Sequence, residues 1–201
     1  MKKWLEKMDW IYVIVPLALL GAFWVIAAFT GQWPWQSNPY NSYALQTDSW
    51  LKGRLDLGQD YPWLELAIYQ GKYFVSFPPF PSYVLIPFVM IFGANTPDHL
   101  IALFVTIAGC VYAIKLYREV SFEKEHALFW VLMLYFASGY LFVGMNGYVW
   151  FIAQSMSFTL SLMALYYALR QKGGLSLAFW ACAVGCRPML ALYGILLVYL
   201  L

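Results

Sequence analysis

The chain has 201 residues, 63% of them hydrophobic and 11% charged, with a formal net charge of +2. A soluble domain runs nearer half apolar and a quarter charged, so the composition predicts an integral membrane protein. So small a net charge, with no basic stripe, excludes nucleic acid as a partner, and the three cysteines sit in apolar runs without metal spacing.

The segment Met1 to Trp10 is charged. The apolar run Trp10–Thr30 is long enough to cross a bilayer as a helix, with Pro16 and Gly21 tolerated inside it. No small-residue cleavage site closes it, so it reads as a retained first span.

A polar insert follows, Gln32 to Pro79, holding the carboxylates Asp48, Asp56, Asp60 and Glu65. Asn38-Pro39 reads as an N-cap with proline at the first helical position, and Gly53 as the left-handed terminator. Between them Tyr40, Tyr43, Ala44, Thr47, Trp50 and Leu51 recur at helical spacing. Asn41, Gln46, Asp48, Ser49 and Lys52 take the other face, which predicts an amphipathic helix along the membrane surface. Leu64–Ile68 and Tyr73–Phe77 are β-prone runs around Gln70-Gly71 and predict a tight hairpin. Pro78, Pro79 and Pro81 end the strands. Pro81–Phe92 is apolar but too short to cross, and reads as a half-helix on the side it started from.

Pro97–Tyr117, His126–Asn146 and the slightly short Gln154–Leu169 read as further spans. Leu175–Leu201 is interrupted by Arg187-Pro188, as one kinked span or two half-helices. The expected fold is therefore all-α and polytopic, one membrane domain over 1–201 with about five or six transmembrane helices. Its parts are a first span at 10–30, a structured loop at 32–94 and the remaining helices at 97–201. This threading puts Lys2, Lys3, Lys7, Lys115, Arg118, Lys124, Arg170 and Lys172 on one side, against Lys52, Arg54 and Lys72 on the other. Excess Lys and Arg mark the cytoplasm, so the expected setting is a multi-pass protein of the cytoplasmic membrane with an extracytoplasmic loop.

Two readings are open for each charged loop residue. Asp48, Asp56, Asp60 and Glu65 are solvated loop carboxylates, or one or two face a cleft against the bundle. There a carboxylate could act as general base or hold a divalent metal with a phosphate. Arg54 and Lys72 snorkel toward headgroups, or pair with a lipid phosphate. Arg187 caps a helix end, or faces a substrate cavity, as charges inside membrane segments do. His99 and His126 mark interfaces, and Asn146 and Gln154 could line the same cleft.

The segments Tyr43-Ala-Leu-Gln-Thr-Asp-Ser-Trp-Leu-Lys-Gly-Arg-Leu-Asp-Leu57 and Glu65-Leu-Ala-Ile-Tyr-Gln-Gly-Lys-Tyr-Phe-Val-Ser-Phe-Pro-Pro-Phe-Pro81 resemble the first external loop of GT-C-type glycosyltransferases, bacterial protein O-mannosyltransferase-like members in particular. Gly185-Cys-Arg-Pro188 is similar to a Lys/Arg-containing element later in that N-terminal module. The resemblance implies inverting transfer of a sugar from a polyprenyl-phosphate donor outside the cytoplasmic membrane, with membrane lipid as surroundings. It also implies a catalytic carboxylate in the first loop. Several relatives carry an Asp-Glu pair just after the first span. Here that neighbourhood reads Asn41-Ser42, so the role passes to Asp48, with Glu65 second and Asp56, Asp60 and Asn41 behind them. Arg54, Lys72 and Arg187 are the expected donor-phosphate partners. No resident metal site is expected, and no cofactor is assigned. Family members continue with further spans, so an N-terminal module or a small member is expected. The alternatives are a non-catalytic membrane subunit or lipid-binding scaffold of the same fold and, third, a transporter, for which Arg187 is the one mid-span polar group.

Overall fold

The computed structural model describes residues 9–121 and 123–201. Among them are nine α-helices, three short 3-10 segments and one two-stranded sheet. Lys2, Lys3 and Lys7, part of the expected charge bias, lie outside the described residues, as does the side chain of Lys124.

Three helices are long and apolar enough to cross a membrane: α1 (Ile11–Thr30), and the two that will be called α4 (Asp98–Val120) and α7 (Val149–Leu169). Phe29, Ile195 and Tyr199 are 88%, 78% and 86% exposed, an outward apolar face that suits lipid rather than water. Gly31, in the left-handed conformation at φ 70°, ends α1 with its N–H on the Ala27 carbonyl.

The insert folds as a short helix, a hairpin and a second short helix. The first, α2, runs Ser42–Leu51. It begins later than the Asn38-Pro39 signal predicts: Asn38 Oδ1 makes the cap-type bond to the Tyr40 N–H at 2.8 Å and its Nδ2 donates to Asp98 at 2.9 Å, but the chain does not turn helical until Ser42. Gly53, at φ 73°, stops the helix as expected. Its polar face is not wholly solvated: Gln46 and Ser49 are buried. Gln46 accepts a hydrogen bond from Ser82 at 2.6 Å, and Thr47 donates to the Ser82 carbonyl at 2.8 Å. These bonds fasten α2 to α3 (Phe80–Phe92), the short apolar helix expected from Pro81–Phe92.

β1 (Leu66–Tyr69) pairs antiparallel with β2 (Lys72–Val75), Tyr69 opposite Lys72. Gln70 and Gly71 both take positive φ, 50° and 71°, the signature of a two-residue type I′ turn.

The apolar stretch expected to form a span at 126–146 is instead two helices, α5 (Ala127–Phe136) and α6 (Tyr140–Met145). Ser138 sits at the break. Its hydroxyl donates to the Leu134 carbonyl at 2.5 Å and accepts the Tyr140 N–H at 3.1 Å, so it serves backbone groups on both sides. The last stretch resolves in favour of two arms. α8 (Gly173–Cys186) climbs to Arg187, and a 3-10 turn (Pro188–Tyr193) with α9 (Gly194–Leu200) runs back beside it. Trp180 donates to the Leu190 carbonyl at 2.9 Å, Gly194 packs on the Trp180 ring, and Gln171 donates to the Leu200 carbonyl at 2.9 Å. Arg187 is the tip of this helical hairpin.

The ends of the bundle are identified by their ties. At one end Gln32 donates to the Tyr148 hydroxyl at 2.9 Å, and Asn38 joins Asp98 and the Gly147 carbonyl. At the other end Arg118 grips Asp9, and Arg170 pairs with Glu119 at 3.5 Å. The insert, α3 and the hairpin tip all gather at the first, loop end. One buried cluster there joins Tyr43 and Ala44 of α2 to Leu85 of α3, Ile101 of α4, Ile152 of α7 and Cys186 of α8.

Candidate functional site

The first residues of α7 are placed by the loop. The Val149 N–H, an orphan donor at a helix start, is satisfied by the Tyr40 carbonyl at 3.1 Å. That bond sets Trp150 between the loop and the hairpin tip. Its carbonyl accepts from Arg187 Nη2 at 2.6 Å, and its indole Nε1 donates to Glu65 Oε2 at a long 3.4 Å. Rings continue the wall, with Tyr40 centred 5.3 Å from Trp150 and 5.2 Å from Tyr148.

Glu65 immediately precedes β1, and its carbonyl accepts from Ser76 at 2.8 Å, which pins the base of the hairpin. Its carboxylate is exposed. Arg187 is half-buried, and its Nε is enclosed without a hydrogen-bond partner among the described residues. The Tyr43 hydroxyl is buried and likewise unpartnered. Burial pushes the Tyr43 phenol well above its ordinary range, and the nearby Arg187 charge acts against that rise. A carboxylate open to solvent and a cation thus flank one tryptophan, the first at its indole and the second at its backbone carbonyl.

The other expected site residues lie elsewhere. Asp48 is paired with Lys52 at 2.5 Å and lines a polar hollow of about 180 Å³ with Arg54, Gln59 and Tyr61. Arg54 packs over Gly58, where a side chain would collide with the guanidinium. Asp56 accepts the Gly58 N–H at 3.1 Å and faces Lys72 at 3.8 Å. Asp60 is exposed. Asn41 donates to the Ala94 carbonyl at 2.8 Å and ties α2 to the end of α3. Of the expected phosphate set, Arg187 stands apart from Arg54 and Lys72, which both border the turn at Asp56 to Gly58. Glu65 and Arg187 are brought together through Trp150. Asp48 and Arg54 share the hollow. Among the described residues, no group of three or more His, Cys, Asp or Glu side chains could hold a metal ion.

Sequence reasoning missed Trp150, one of ten tryptophans with nothing to single it out. It also missed a buried polar knot beneath the site. Asp98, 2% exposed at the first turn of α4, accepts from Asn38; His99, 4% exposed, accepts the Gly147 N–H on Nδ1 at 3.1 Å. An acid at a helix start favours the macrodipole, and Asp98 directly after Pro97 was the available signal. Gly147 is required here, because a Cβ would overlap the backbone of Asp98 and His99. No protein-family model, no curated protein and no solved structure matches the chain.

Proposed function

We propose that the chain is a GT-C-type glycosyltransferase or its N-terminal module, taking a sugar from a polyprenyl-phosphate donor to an acceptor on the loop side of a cytoplasmic membrane. The observation that carries the reading is Trp150 held between Glu65 and Arg187. Glu65 is the general base. It removes the proton from an acceptor hydroxyl or amine as that atom attacks the sugar's anomeric carbon. The bond from that carbon to the phosphate oxygen breaks, and the polyprenyl phosphate leaves with the electron pair. Arg187 meets the charge that develops on the leaving phosphate, where a guanidinium is the suited partner. Asp48 is already paired with Lys52, which favours Glu65 as base. In this reading α5 and α6 together make one broken crossing, the hairpin of α8 and α9 enters without crossing, and the loop end is extracytoplasmic.

The test is transfer to acceptor by Glu65→Gln and Asp48→Asn variants in the same vesicles. Glu65→Gln is expected to lower the rate by about 10²-fold or more, the usual share of a general base, and Asp48→Asn to change it far less. Full activity in Glu65→Gln overturns the assignment.

A further inference from the structure

Where α5 breaks from α6, a cavity of about 370 Å³ opens between the break and α1. Its walls are apolar over most of their height, with Phe23 and Ala27 on one side and Phe136 and Leu141 on the other. Its loop end is polar and carries Gln32, His99 and Asn146. Two wall residues, Ile26 and Phe142, are 38% and 63% exposed, and Ile26 shares α1 with the exposed Val25 and Phe29. The mouth therefore faces the place where lipid chains lie.

The polar end offers a donor. The His99 ring is closed off by backbone, its Nδ1 accepting the Gly147 N–H and its ring N–H engaged by the Met145 backbone. The side-chain oxygen of Asn146 accepts the Tyr148 N–H at 3.2 Å, which leaves its NH₂ group to donate. We propose that this cavity holds one acyl chain of a membrane phospholipid, with the ester carbonyl received by the Asn146 NH₂ group. An ester carbonyl only accepts hydrogen bonds, and it is the first polar group above an acyl chain. The volume is at the small end of ligand cavities, fit for one chain rather than a whole lipid. The rings of Tyr148 and Tyr40 stand between this cavity and Trp150, with Tyr148 5.7 Å from His99. The proposal therefore stands apart from the glycosyltransferase reading.

The test is native mass spectrometry of the full chain after stepwise delipidation in detergent. Wild type is expected to keep one phospholipid per chain. Ala27→Trp, which fills the cavity from a wall residue only 2% exposed, is expected to lower that occupancy at least tenfold. Leu165→Trp, on the wall of a separate cavity beside Leu190, is expected to keep it. Wild type that retains no phospholipid, equal retention in Ala27→Trp, or a retained mass that is a prenyl phosphate overturns the proposal. A photo-cross-linking side chain at Phe136 reads the same site without filling it, should Ala27→Trp not fold. It is expected to capture phospholipid after delipidation, whereas the same group at Phe129, 55% exposed, is not. Loss of capture at both positions also overturns the proposal.

Discussion

Trp150 serves its two partners with different parts of itself, the backbone carbonyl for Arg187 and the indole N–H for Glu65. Trp150→Phe therefore cuts one tie and keeps the other. It is expected to lower transfer by about tenfold, the worth of one hydrogen bond to an exposed charged group; Arg187→Ala, which removes the phosphate partner, is expected to lower it further. Rates measured in the same membranes check the order. The buried knot gives a stability prediction. Gly147→Ala forces a methyl into the backbone of α4, and about 1–3 kcal/mol of stability should be lost, read as a lower thermal unfolding midpoint in detergent. At this scale the sequence was half legible. Glu65 and Arg187 stood out because charge is rare in this chain. Their meeting through Trp150 was not legible, because residues 65, 150 and 187 come together only once α7 is seated by the Tyr40 carbonyl.

Among the elements, the β-hairpin was readable from Gln70-Gly71, since few sequences other than a tight turn place a glycine between two β-prone runs. The turn is not optimised. Gln70 holds φ 50° without the advantage that asparagine has in this conformation. Gln70→Asn is expected to stabilise the protein by about 0.5–1 kcal/mol, a rise in the unfolding midpoint with transfer unchanged. The start of α2 was misjudged. Asn38 makes the cap-type bond to the Tyr40 N–H, yet the helix waits until Ser42, and the Asn38 amide also reaches Asp98, sixty residues away in the chain. Local signals carry no information about such a partner. Gln46 and Ser82 teach the same lesson, two polar residues buried because each satisfies the other.

For the whole molecule, three helices long and apolar enough to cross were legible from hydropathy, the first two near their observed bounds and the third, expected from Gln154, starting five residues earlier at Val149. The break at residues 137–139 was not, because Ala137, Ser138 and Gly139 do not interrupt the apolar run. Hydropathy also left the last stretch open between a kinked span and two half-helices. Packing of Trp180 on Gly194 decides it. The proposed orientation has its own check. Cysteine placed at Lys72, in the exposed hairpin, should react with an impermeant thiol reagent in intact cells, and cysteine at Arg170 only after permeabilisation. The reverse pattern would turn the molecule over in the membrane and place Glu65 on the wrong side for an extracytoplasmic acceptor.

Ser138 reaches further than its size suggests. A helix parts more readily where its loosened backbone groups find new partners, and here a single hydroxyl serves two of them, the Leu134 carbonyl and the Tyr140 N–H. Ser138→Ala withdraws that supply, and the cheapest remedy is for α5 and α6 to rejoin as one straight rod. A straight rod would lie closer to α1. One oxygen atom thus braces the wall of the cavity that opens between the break and α1.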